Sequence, residues 1–238
     1  MAIQTRDNSL ESLLVATKTG LRRIIARQWI DAPEQAQLLS LADAAFAPPA
    51  ATRYSANLLI QSADWSTVPQ ISDIQPTAWP TQRCVTFDLP VADVQANRWR
   101  SHIITKLDQL AGQLGDSVGA MTLSHLSFEP LGHYSPASAS LKRPALNNVA
   151  LACPALSSSF IDTLADRMDL GLAAAASLNQ LTVHEPPANL AQQPVQAPAP
   201  IDSLQAQVCV AGLGTGGIVA ALAARKVGAS VIAIEPMT

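Results

Sequence analysis

Charge is scarce in this chain. Asp, Glu, Lys and Arg make up 14% of its 238 residues, against about 25% in an ordinary soluble domain. A surface so poor in charge implies that another chain or domain covers part of it. The balance of −3 leaves no basic field to draw nucleic acid or an anionic membrane surface. Cysteine is nearly lacking as well. Cys84, Cys153 and Cys209 are odd in number and share no short spacing, which speaks against a disulfide framework and against a zinc site. Cys209 lies in an apolar run and reads as a buried, inert thiol. No stretch reaches the roughly 18 apolar residues of a bilayer-spanning helix. Met1 to Asp7 lacks the basic-then-apolar order of a signal peptide, so the expectation is a cytoplasmic protein without membrane association.

Apolar content is ample, at 48% with a mean hydropathy of +0.18, enough for a sizeable core and unlike the composition of disordered chains. Periodicity predicts a mixed α/β or α+β domain over residues 1–183. Leu13, Leu14, Leu21, Ile24, Ile25 and Trp29 recur near helical spacing. They predict a helix over 9–30, capped by Ser9 and interrupted at Gly20. Asp31 is expected to cap a second helix with Pro33 in its first turn, ended by Pro48 and Pro49. Strands are expected at Tyr54–Ser62, Cys84–Leu89, Met121–Phe128 and Asn148–Cys153. Helices are expected at 93–114, where Val94, Trp99, Ile103, Leu107 and Leu110 share a face, and at 158–178, opened by Ser158 or Ser159. Residues 184–202 differ. They hold five prolines with Ala and Gln and little charge, the composition of an extended linker. The expected division is therefore 1–183, a linker over 184–202, and a new domain beginning at 203.

The informative segment follows that linker. Val208–Ala211 is a short apolar run suited to a parallel strand buried on both faces. Gly212, Leu213, Gly214, Thr215, Gly216 and Gly217 then spell G-x-G-x-x-G, an Ala-rich helix follows and ends at Gly228, and Val231–Ile234 is a second strand with Glu235 and Pro236 behind it. The acid stands about 20 residues beyond the glycines, as a dinucleotide fingerprint requires. Each glycine has its reason: Gly212 for the tight turn, Gly214 so that backbone can approach a pyrophosphate, Gly217 for close helix–sheet packing. The free amides and positive dipole end of the helix favour phosphate there.

This segment resembles the FAD-dependent oxidoreductases, in the branch related to fumarate reductase, over residues 206–238. The resemblance implies the first β-α-β of a Rossmann-like domain holding FAD. Gly212, Gly214, Thr215 and Gly216 would line the pyrophosphate, with Leu213 and Gly217 completing the turn. Glu235, followed by Pro236, would hold the adenosine ribose. The implied activity is hydride transfer on a small organic substrate. Other readings of the same residues stay open. Gly212, Gly214 and Gly216 also satisfy the G-x-G-x-G of S-adenosylmethionine-dependent methyltransferases, although the acid expected two residues earlier is Val210 here. Adenylating enzymes and NAD enzymes share the look of the turn. Residues 1–183 could instead serve as a non-catalytic binding or assembly module.

Two strands and one helix cannot bury their own apolar faces. The expectation is therefore a cleaved or split chain, active as a hetero-oligomer once a second polypeptide completes the FAD domain. No catalytic acid or base stands out, and no metal site is expected. His125, Glu129 and His133 recur at four-residue steps, but Pro130 and Gly132 oppose a helix there. Ser135, Ser138 and Ser140 carry no nucleophile motif. Trp29, Trp65, Trp79 and Trp99 read as core or interface anchors.

Overall fold

Residues 9–17 and 20–31 form two strands, not the helix that the leucine and isoleucine spacing suggests. The turn that starts them is legible in hindsight. Asp7 and Asn8 both have positive φ (48° and 58°), the two-residue hairpin geometry that Asp and Asn tolerate best. It joins β1 (Ala2–Arg6) to β2 (Ser9–Thr17), and β3 (Gly20–Asp31) returns antiparallel to β2. β3 is buried on both faces, with Trp29 on one and Ile30 on the other. A strand apolar on both sides has no period of two to betray it, and its run mimics helical spacing.

The computed structural model describes residues 2–17, 20–61, 65, 74–114, 122–126, 130–187 and 202–234. After β3 come α1 (Gln37–Ala42), β4 (Arg53–Gln61), β5 (Ile74–Pro76), β6 (Gln82–Leu89) and α2 (Val91–Gln95). α3 (Trp99–Leu114), β7 (Thr122–Leu126), β8 (Leu131–His133) and β9 (Val149–Leu151) follow. The last elements are α4 (Leu164–Ser177), β10 (Asp202–Ala211), α5 (Thr215–Lys226) and β11 (Val231–Ile234). The chain is a mixed α/β protein of two compact units, one of residues 1–50 with 134–238, the other of 51–133. Among the described residues no helix is long and apolar enough to cross a membrane.

The smaller unit is an antiparallel sheet in the order β5-β6-β4-β7, with β8 also on β4. Ala56, Leu58 and Leu89 bury one face against Trp99 and Ile103 of α3, the helix whose apolar positions were evident in the sequence.

The larger unit is a mixed sheet in the order β1-β2-β3-β10-β11, with β9 sharing an edge of β3 with β2. β10 lies parallel to β3 from Asp202↔Arg22 to Ala211↔Asp31, and β11 lies parallel to β10. Two sequence expectations change here. The segment after residue 202 shares a sheet with β1, β2, β3 and β9, so the compositional break at 184–202 does not separate two sheets. The strands around the glycine motif also take their neighbours from this chain, which removes the packing argument for a completing polypeptide. α4 and α5 cover one face, where Ala174, Ala220 and Ala224 meet Val208, Val210 and Ile30. α1 covers the other, where Leu38 joins Trp29 and Cys209.

Where β2 leaves the edge of β3 and β9 arrives, Asn148 fills the gap. Its Oδ1 accepts the Leu10 amide at 2.8 Å, and its Nδ2 donates to the carbonyls of Leu10 (3.0 Å) and Arg27 (3.1 Å). The indole of Trp29 donates to the same Leu10 carbonyl at 2.9 Å. One side chain thus bonds backbone groups of both β2 and β3 at their junction with β9.

Candidate functional site

The parallel strands run β9-β3-β10-β11 across the sheet, yet in the chain β3 comes first. The chain leaves β3 for β9 on one side and leaves β10 for β11 on the other. Carboxyl ends of strands at such a reversal are where open α/β sheets place ligands. The glycine turn lies there, directly after Ala211.

The three motif glycines have three different environments. Gly212 has φ +93°, and a Cβ on it would lie 2.6 Å from the Pro33 nitrogen. It is therefore fixed both by conformation and by the loop after β3. Gly217 is buried in the first turn of α5, and a Cβ there would fall on the Gly212 carbonyl oxygen and press on Ala32. Gly214, the N-cap of α5, is exposed and a Cβ on it would meet nothing within 4 Å. The first intrahelical bond of α5 runs from the Ile218 amide to the Gly214 carbonyl at 2.9 Å. The amides of Thr215, Gly216 and Gly217 precede that bond and carry the positive end of a 12-residue helix. Leu213, Thr215 and Gly216 are half-buried around them.

Protein flanks the turn on two sides. On one, Ala32 and Pro33 touch Gly212 and Gly217. On the other, α4 presses against α5: a Cβ on Gly216 would sit 3.0 Å from the Arg167 carbonyl. The buried Arg167 guanidinium forms an ion pair with Glu34, so α4 is tied to the loop after β3 beside the turn. These residues are 133 positions apart, and no local pattern announces them.

Asp31 ends β3 and is fully buried. Its Oδ2 accepts the Leu39 amide of α1 at 3.2 Å, and the Cys153 thiol donates to its backbone carbonyl at 2.9 Å. Burial raises its carboxyl to a pKa of about 7, against the α1 amides that pull it down. Asp31 is expected from the sequence to cap a helix. It does so at a distance, since α1 starts at Gln37 after Ala36 in a left-handed conformation. Its carboxyl therefore serves the α1 side of the sheet, opposite α5. Burial also pushes the thiols of Cys153 and Cys209 upward, as expected for inert cysteines.

The structure thus brings Gly212, Leu213, Gly214, Thr215, Gly216 and Gly217 together as one turn. Glu235 and Pro236 lie outside the described residues, immediately after β11. Glu129 also lies outside them. His133 is in β8 and buried, with Nε2 2.8 Å from Ser55 Oγ and Nδ1 3.4 Å from Arg53 Nη2. Arg53 can only donate, so Nδ1 accepts and Nε2 carries the proton toward Ser55. That polarity is the reverse of what a serine nucleophile needs from its base. Trp29, Trp65 and Trp99 are buried, whereas Trp79 is exposed. An open cleft of about 520 Å³ in the smaller unit is lined by Arg53, Thr86, Phe87, Lys106, Gln109 and Gln113, among others, and it gathers no catalytic set. No protein-family model, curated protein or solved structure matches this chain, so the reading of the turn rests on its own geometry and chemistry.

Proposed function

We propose that the Gly212–Gly217 turn binds the diphosphate of FAD, and that the chain is part of a flavin-dependent oxidoreductase acting on a small organic substrate. One observation carries the reading: the division of labour among the three glycines. Gly212 and Gly217 have no room for a side chain because the protein itself fills the space, while Gly214 faces open space at the free amides of α5. A purely structural turn has a use for the first and third glycine. The second is explained by a ligand that must come close to backbone. The site's place at the strand-order reversal supports the same reading.

Thr215, Gly216 and Gly217 would donate backbone hydrogen bonds to the diphosphate, and Gly214 would let it approach. Glu235, next in sequence after β11, is assigned the ribose hydroxyls. Flavin, when bound, supplies the redox chemistry, and the protein supplies binding, orientation and electrostatics. The turn addresses only the ADP half of the cofactor. The isoalloxazine ring and the substrate are assigned to a partner polypeptide or domain.

Titration of the chain with FAD, followed by flavin fluorescence, tests the proposal. Saturable binding that ADP competes away, and that Gly214→Val weakens at least about tenfold (about 1.4 kcal/mol) without lowering the melting temperature, supports it. Absence of saturable FAD binding, or S-adenosylmethionine binding lost in the same variant, would overturn it in favour of no cofactor or of a methyltransferase.

A further inference from the structure

The outer face of α4 and α5 has the wrong composition for a surface in water. A helix lying on a sheet ordinarily turns polar and charged residues outward. Here Leu164 (57% exposed), Met168 (43%) and Leu172 (50%) stand at four-residue steps along α4, and Ile218 (49%) and Leu222 (65%) stand at the same step along α5. Residues four apart share a helix face, so each helix carries an apolar stripe outward. The two helices are in direct contact where Gly171 meets Gly216, and the stripes belong to one layer. The exposed charges on it are segregated by sign. α4 bears the exposed Asp169 in its N-terminal half, and α5 bears Arg225 and Lys226 as its last two residues.

From this layer we infer that a second copy of the chain docks on it, forming a two-fold dimer through the α4–α5 faces. The charges select the occupant. Both helices follow parallel strands and run the same way, so the acidic corner of the layer is diagonal to the basic one. A two-fold axis in the plane of the layer and oblique to the helices lays the acidic corner of one copy on the basic corner of the other. It does so twice, as an isologous contact requires. The helices then cross antiparallel at a steep angle, the commonest class of helix packing. Asp169 of each copy faces Lys226 of the other, and the leucine stripes fill the centre. The area sets the strength. Helices of 14 and 12 residues, about 1.5 Å per residue and about 9 Å apart, present a face of roughly 400 Å² per copy. Two such faces fall short of the roughly 1,200 Å² of a standard interface, so association is weak and concentration-dependent. This inference is independent of the cofactor reading.

Sedimentation velocity of the full chain from about 1 µM to about 500 µM, a range bracketing micromolar affinities, tests it. The expected result is a shift from the 25.0 kDa monomer to twice that mass. Leu172→Glu with Leu222→Glu should abolish the shift, with unchanged circular dichroism because both side chains are exposed. Asp169→Lys should weaken the dimer about threefold, the scale of a pair of exposed ion pairs, and adding Lys226→Asp should restore it. A monomer at every concentration overturns the inference. So does a dimer that survives the double leucine variant or ignores the charge reversal.

Discussion

Gly171 and Gly216 meet backbone to backbone, so closely that a methyl group on Gly171 would land on the Gly216 carbonyl oxygen. The contact seats α4 against the first turn of α5 and so supports the glycine turn from behind. Gly171→Ala gains roughly 1 kcal/mol of helix propensity but forces the two helices apart, an overpacking cost of about 1–3 kcal/mol. The expected net is a loss of about 1 kcal/mol in urea denaturation, together with weaker FAD binding because the turn moves. Unchanged stability would mean that the helices slide apart freely.

Asp31 should make stability fall toward alkaline pH. Its folded pKa of about 7 lies above the ordinary 3.8, so the fold favours the neutral acid. That contribution is complete below about pH 4 and is lost as pH rises through about 7. Three units correspond to about 4 kcal/mol at most. Urea midpoints at pH 5 and pH 8 measure it. The wild type is expected to be less stable at pH 8, and Asp31→Asn, which can still accept the Leu39 amide, should flatten the difference. An equal pH slope in the variant would remove Asp31 as its cause.

Asn148 should be among the most sensitive polar positions. Replacement by Ala leaves the buried Leu10 amide without that partner at the junction of β2, β3 and β9, whereas the Arg27 carbonyl keeps the His184 amide at 3.3 Å. A buried amide left without a partner costs about 1–3 kcal/mol, so Asn148→Ala should destabilise by roughly 1–3 kcal/mol in equilibrium denaturation. A loss under about 0.5 kcal/mol would show that water replaces the side chain.

What the sequence disclosed was local. The order Val208–Ala211, glycine turn, Ala-rich helix and Val231–Ile234 could be read because each feature depends on neighbours within a few residues. The helix at 99–114 was readable because its outer side is polar. Three serines at 157–159 offer competing caps for α4, whereas Thr163 and Asp166 form the capping box that starts it. β2 and β3 were hidden because strands buried on two sides lack alternation. The partners of the turn were hidden for another reason. Glu34, Arg167 and Gly171 reach it only through the tertiary fold, and a glycine required by another helix looks like any glycine.

The most direct measurement is a titration of isotope-labelled protein with ADP, following backbone amide resonances. Saturable shifts are expected, concentrated at Leu213 to Gly217, with the amides of Thr215, Gly216 and Gly217 moving most. Shifts spread elsewhere with that turn silent, or no shifts at millimolar ADP (a ligand about 4 kcal/mol from the free state), would contradict the proposed diphosphate site.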